Sequence, residues 1–373
     1  MTPVLAVVKE LHKLEADLSV RFFCDKAFEQ QARGLMELAP IPVEVSVISA
    51  GKFRRYSHLT FLQHFSVPYV ITSNFKDGFK ILLGFWQSFF ILLFKRPDVV
   101  FAKGGYVSLP FGIAARVLGI PLVIHDSDMR PGLTNRVLAR YATMITTGAP
   151  LSYYPYPAAK SRYVGVPVGS EFRPIDDSTK RIYKKELGFD PSRPLVVATG
   201  GGLGSVSINR AVCQAAEELG RQDISVYLVA GKNNYDDAVQ NVPADTQSFK
   251  VVPFVYDGLG QILGAADVVV SRTSATTMQE LASLKKAVIT APARQLGDQL
   301  KNAIEYQAAG AVIVVQDDEL DDVLADTIIM LLNDDKKREA LAEKLHKFYC
   351  PNAASDTADI ILSVAKRQLG LKQ

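Results

Sequence analysis

Cysteine is scarce in this chain, with three in 373 residues: Cys24, Cys213 and Cys350. An odd number, far apart and in no metal-ligand spacing, argues against a disulfide framework or a zinc site and fits free buried thiols in a reducing compartment. An excess of one charge is also missing. The balance of 42 basic and 39 acidic residues leaves +3 at neutral pH, too little to argue for nucleic acid as a partner. No apolar run reaches the roughly 18 to 20 residues that span a bilayer, and the start lacks the pattern of a signal peptide. What is there, 48% hydrophobic and 22% charged residues, reads as a soluble globular protein long enough for two domains.

The start lacks a strand. In "MTPVLAVVKEL", Thr2 suits an N-cap, Pro3 the first helical position, and Leu5, Val8, Leu11 and Leu14 fall at helical spacing, which predicts a helix over 3–14. Everything after it alternates strand and helix. Strands are expected at 18–24, 42–49, 98–102, 121–125 and 143–147, with helices within 77–95, 107–118 and 133–141. Unbroken apolar runs such as "PDVVFA" and "PLVIHD" are those of a parallel sheet buried on both faces. Residues 149–175, rich in proline and tyrosine, mark a boundary, and a second strand–helix series starts at "RPLVVATG". The expected architecture is α/β: doubly wound domains over 1–160 and 161–350 with a cleft between them, and a closing helix in 351–373 that packs back on the first.

Four stretches carry chemistry. In "LVVATGGGLGSVSINRAV" a buried strand runs into Gly200–Gly204 and then a helix, which suits either a phosphate at the helix N-terminus or a glycine turn that packs strand against helix. It matches neither the dinucleotide fingerprint nor the P-loop. In "DVVVSRTSATTMQELAS", Ser274, Ala275, Thr276 and Thr277 open a helix. Their hydroxyls and N–H groups suit a phosphate and Glu280 a ribose, while Thr277 and Glu280 also read as a plain capping box. In "FAKGGYVSLPFG…VIHDSDMRPGLTNR", Gly104 and Gly105 form a turn at a strand's carboxyl end. Asp126 and Asp128 end the next strand near Arg130 and Asn135, as bases or as ordinary turn acids, and His125 sits in an apolar run as a packed histidine. Finally Ile81 to Phe94, almost wholly apolar and flanked by Lys80, Lys95 and Arg96, is either a buried helix or one offered to a bilayer surface. Lys52, Arg54 and Arg55 add positive charge to the same domain.

The order "KGGYVSLPFGIAARVLGIPLVIHDSDMRPGLTNR", "GVPV", "TGGGLGS", "SRTSATTMQEL", "GDQLKNA" resembles the MurG-type UDP-N-acetylglucosamine transferases of glycosyltransferase family 28 over nearly the whole chain. The resemblance implies a GT-B fold and transfer of N-acetylglucosamine from UDP-GlcNAc to the C4 hydroxyl of the muramoyl sugar of lipid I, giving lipid II. It implies no cofactor and no metal, the diphosphate being held by helix dipoles and backbone amides. By the same resemblance Gly201, Gly202 and Gly204 lie beside the sugar and diphosphate, and Phe254 frames the uracil. Ser274, Ala275, Thr276 and Thr277 face the phosphates, Glu280 binds ribose, and Gln299, with Asp298 beside it, contacts the GlcNAc hydroxyls. Gly104, Gly105, Tyr106, Asp126, Asp128 and Asn135 line the acceptor side. The Ile81 to Phe94 helix rests on an anionic membrane at its cytoplasmic face, as in a peripheral protein.

The departures from the family pattern are local. Gly202 and Leu203 replace a Ser-Gln pair, "HDSD" replaces "HEQN", and Gly169 stands where an arginine holds the diphosphate, with Arg173 a substitute four residues on. Family members open with a strand and a "GGTGGH"-like loop ahead of the part seen here as Thr2 to Val7. The resemblance therefore implies a start that falls after that strand, and no residue inherits the loop histidine. Two other readings stay open: a binding-only UDP-sugar relative, and a family 28 transferase acting on another lipid.

Overall fold

The computed structural model describes residues 1–51, 68–242, 248–293 and 297–370, so Lys52, Arg54 and Arg55 lie outside the described residues. In chain order the elements are α1 (Thr2–Leu14), β1 (Val20–Cys24), α2 (Glu29–Met36), β2 (Val43–Val47), α3 (Pro68–Phe94), β3 (Val100–Ala102), α4 (Ser108–Val117), β4 (Leu122–Asp126), α5 (Leu133–Leu138), β5 (Met144–Thr147) and β6 (Ser161–Tyr163). They continue as α6 (Asp177–Glu186), β7 (Leu195–Thr199), α7 (Val206–Arg221), β8 (Ser225–Val229), α8 (Tyr235–Gln240), β9 (Phe249–Val252), α9 (Leu259–Ala265) and β10 (Val268–Ser271). The last are α10 (Ala275–Ser283), β11 (Ala287–Thr290), α11 (Gly297–Ala308), β12 (Ile313–Val314), α12 (Leu320–Leu332), α13 (Asp335–His346) and α14 (Ala353–Gln368). The chain divides into two compact units, Met1–Gly169 with Asn352–Gln373, and Ser170–Pro351.

The second unit is built on a six-stranded parallel sheet in the order β12-β11-β10-β7-β8-β9. Every residue of β7, β8, β10 and β11 is buried, as unbroken apolar runs require when helices cover both faces. Ile208, Val212 and Leu219 of α7 and Leu324, Ile328 and Leu331 of α12 pack on one face, each such side chain contributing about 1.5–3 kcal/mol. Strand order turns back between β7 and β10. In open α/β sheets that switch point is where ligands bind.

In the first unit the described strands form two separate parallel sheets, β1-β2 and β3-β4-β5-β6. Helix α1 spans both. Its Leu5 packs with Cys24, Ala32 and Val45 over the smaller sheet, and its Val7 and Leu11 pack with Val123 of β4 and with Ala358, Ile361 and Val364 of α14. Phe23 of β1 meets Phe111 of α4, ring centroids 4.4 Å apart. The cap of α1 is Met1, with no side-chain hydrogen bond, because the helix already includes Thr2. Cys24 and Cys213 are buried free thiols as expected, but Cys350 is only half-buried.

Helix α3 corrects the expectation that no apolar segment is long enough to span a bilayer. It runs well ahead of Ile81, and Phe75–Phe94 suffices by length and composition. One side belongs to the unit's core: Leu92 is buried there, Phe85 and Phe89 pack against it, and Gln87 accepts the Ser49 N–H at 2.8 Å. Gly84 is essential to that fit, since a Cβ there would lie 1.9 Å from the Ser49 carbonyl oxygen. The other side exposes Phe75, Phe79, Leu83, Trp86, Phe90 and Phe94, a single stripe at helical spacing, with Phe75 80% and Phe94 77% exposed.

Candidate functional site

At the switch point of the second unit, β7 ends at Thr199 and the chain passes through Gly200–Gly204 into α7. Gly201 and Gly204 both have φ of +79°, and a Cβ on Gly204 would lie 2.0 Å from the Ala230 carbonyl oxygen, so glycine alone fits. Ser205 caps α7, its Oγ accepting the Ile208 N–H at 3.3 Å. Beside it β10 ends at Ser271 and the chain enters α10 through Arg272, Thr273 and Ser274. The expected capping box of Thr277 and Glu280 does not form. Ser274 is already the cap, accepting the Thr277 N–H at 3.3 Å, so Thr277 lies inside the first turn and Glu280 is a buried residue of the next.

Arg272, to which no spacing in the sequence points, joins the two loops. Its Nη2 donates to Ser205 Oγ at 2.8 Å, and its Nε is buried with no hydrogen-bond partner among the described residues. Burial pushes this guanidinium below its ordinary value, against the pull of Asp317. Asp317 in turn accepts from Ser207 Oγ at 2.6 Å. The β10 loop is tied to α11 by Thr273 Oγ1 donating to the Gln299 carbonyl at 2.8 Å and Asn302 Nδ2 donating to the Thr273 carbonyl at 3.1 Å. Gln299 Oε1 is buried without a partner among the described residues. Past β9, Phe254 and Tyr256 meet edge to face at 4.6 Å, with Lys232 Nζ 5.1 Å from the Tyr256 ring centroid. Two helix N-termini with a cation between them suit an anion, the orphaned amide oxygen suits a hydroxyl, and the aromatic pair suits a flat ring. Arg173 is exposed on the segment before α6.

The first unit gathers its polar residues at the carboxyl ends of its strands. Gly104 and Gly105 have φ of +82° and +80°, and a Cβ on Gly104 would meet Asn135 Nδ2 at 2.9 Å. Asn135 Nδ2 donates to the His125 carbonyl at 3.1 Å, while its Oδ1 is buried with no partner among the described residues. Asp126, 3% exposed, accepts the Tyr156 hydroxyl at 2.7 Å. Burial pushes its carboxyl up to about 7, with hydrogen bonds from Tyr156 and Asn135 acting the other way. His125 is fully buried beside Thr146 Oγ1 at 3.0 Å and is pushed down to about 3, the packed histidine its apolar run suggests. The Asp128 carbonyl accepts the Tyr154 hydroxyl at 2.7 Å. The Tyr106 hydroxyl donates to Asp25, a residue at the end of β1 that the sequence does not single out.

Comparison with known proteins places these units. The glycosyltransferase family 28 N-terminal domain matches residues 1–147 and the family's C-terminal domain residues 195–359. A UDP-N-acetylglucosamine--N-acetylmuramyl-(pentapeptide) pyrophosphoryl-undecaprenol N-acetylglucosamine transferase of Geobacillus kaustophilus (strain HTA426) is 34% identical over 294 residues, 78% of this chain and 76% of the relative. One of the same name from Clostridium botulinum (strain Hall / ATCC 3502 / NCTC 13319 / Type A) is 31% identical over 340 residues, 89% of this chain and 86% of its own. Among solved structures, Acinetobacter baumannii MurG superposes with a TM-score of 0.66 at 21% identity, covering 97% of this chain and 95% of that one. The calicheamicin glycosyltransferase CalG4 superposes at 0.63 and 13% identity, covering 98% and 95%. These likenesses show the fold, a GT-B pair of Rossmann-like units.

Proposed function

The chain belongs to glycosyltransferase family 28, and we propose that it transfers N-acetylglucosamine from UDP-GlcNAc to the C4 hydroxyl of the muramoyl sugar of lipid I, giving lipid II. The activity in its relatives' names supports the reaction. The observation that carries the donor assignment is the pair of helix N-termini at the β7/β10 switch point, linked by Arg272. There the N–H groups of α7 and α10 and the Arg272 guanidinium would take the diphosphate and stabilise the charge that builds on it as UDP leaves. Gly201, Gly202 and Gly204 would let the backbone approach it, Ser274, Ala275, Thr276 and Thr277 would add contacts, and Glu280 would accept from the ribose diol. The unpartnered Gln299 oxygen would accept from a GlcNAc hydroxyl, and Phe254 with Tyr256 would frame the uracil. In the first unit Gly104, Gly105, Tyr106, Asp126, Asp128 and Asn135 would face the acceptor.

The exposed aromatic stripe of α3 supports a peripheral contact with an anionic, cytoplasm-facing bilayer, where a lipid-linked acceptor resides. A release assay with UDP-GlcNAc and short-chain lipid I tests the reaction. UDP should appear only when both are present. Calorimetric binding of UDP-GlcNAc without release would leave a binding-only protein, and release with diacylglycerol but not lipid I would reassign the acceptor.

A further inference from the structure

Transfer to a sugar hydroxyl needs a group that accepts its proton, and the carboxylates of the first unit are unequal candidates. Asp126 is enclosed by Tyr156 and Asn135. Asp77 of α3 is buried beside Lys80, at 3.6 Å. Asp25 is only half-buried and stands immediately after β1. Its Oδ1 accepts the Phe28 N–H at 3.1 Å, capping a short 3₁₀ turn, and its Oδ2 accepts the hydroxyl of Tyr106. Tyr106 follows two left-handed glycines, and the turn is pinned by Ser108 Oγ donating to the Gly104 carbonyl at 2.7 Å. Having given its one proton to Asp25, the phenol oxygen keeps acceptor capacity for another hydroxyl.

We propose that Tyr106 and Asp25 form a proton relay for the acceptor hydroxyl, Tyr106 touching that hydroxyl and Asp25 acting through it as positioning residue and final proton acceptor. The inference rests on the acceptor assignment made above for the first unit. As the C4 oxygen bonds to the anomeric carbon of GlcNAc, its proton passes to Tyr106 Oη and the phenol's own proton passes to Asp25 Oδ2. The anomeric carbon–oxygen bond to UDP breaks, with the electron pair leaving on the β-phosphate oxygen. Tyr106 ends as it began, a neutral phenol, and Asp25 ends protonated. Burial, the hydrogen bond to Asp25 and the charge of Asp77 hold the phenol above its usual range, so a phenolate does not intervene.

Among the described residues, the charge of Asp77 of α3, paired with Lys80 at 3.6 Å, reaches Tyr106.

The test uses the full chain with UDP-GlcNAc and short-chain lipid I. Asp25→Asn keeps the cap, since asparagine serves as well as aspartate there, and Tyr106→Phe keeps the ring. Each should lower kcat about 100- to 10,000-fold, the span of general-base catalysis, with UDP-GlcNAc affinity by calorimetry unchanged. The double variant should be no slower than either single one. An Asp25→Asn enzyme within about threefold of the parent overturns the relay, and so do two defects that simply multiply. If the parent binds UDP-GlcNAc but transfers nothing to lipid I, the acceptor assignment fails and the relay falls with it.

Discussion

Arg272 shows what a single residue adds that spacing alone does not reveal. In sequence it is one basic residue after an apolar strand, and only the adjacency of β7 and β10 brings it to Ser205, 67 positions away. Substitution by Gln should weaken UDP binding about 10- to 100-fold, the loss of a charge-assisted contact, and leave uridine binding unchanged. Arg173→Ala should likewise weaken UDP but not uridine if Arg173 stands in for the family arginine missing at Gly169. Calorimetry with both ligands checks this, and equal losses for UDP and uridine would remove Arg272 from the diphosphate. Asp126 carries a pH signature. Its folded carboxyl keeps a proton up to about pH 7 where an unfolded one loses it near 3.8, so between those values the folded state binds more protons and stability falls as pH rises. Asp126→Asn should flatten that slope and leave the protein more stable than the parent at pH 8, by on the order of 1 to 4 kcal/mol. Melting temperatures from pH 4 to 8 decide it, and a variant profile parallel to the parent's would contradict the assignment.

At the scale of elements, unbroken apolar runs and glycine turns made the strands and the loops after β3 and β7 legible, because both are properties of adjacent residues. What stayed hidden depends on distant partners. The capping box at Thr277 reads correctly as a pattern, yet Ser274 stands ahead of it and takes the cap. Asp25 and Tyr106 meet across 81 positions with no shared motif. The apolar run of α3 breaks off in the sequence because Lys76, Asp77 and Lys80 stand among Phe75 and Phe79, which join the apolar stripe only once wound into a helix. That stripe predicts membrane contact through particular residues. Trp86→Asp together with Phe90→Asp should cut co-sedimentation with phosphatidylglycerol vesicles at least about tenfold, since each ring contributes about 1.5–3 kcal/mol on burial. The melting temperature should hold, both side chains being exposed. Undiminished vesicle binding would move the contact elsewhere.

Across the whole molecule, each unit has a core of its own. A ligand held by the second unit should therefore stabilise that unit selectively. At about 100 times its Kd, UDP should add about 2.7 kcal/mol to the second unit. Hydrogen exchange should slow in β7, β10, α7 and α10 while β1 to β6 change little, and equal protection of both units would argue for a ligand site that is not confined to the second.

The packing of α14 on α1 has a further consequence, for the order in which the protein is made. Val7 and Leu11 find part of their cover in Ala358, Ile361 and Val364, residues that leave the ribosome only after Ser170–Pro351 has been synthesised. The second unit, one uninterrupted stretch, can close while translation continues. The first must wait with part of an apolar face of α1 uncovered, which makes the docking of α14 a late step in its folding.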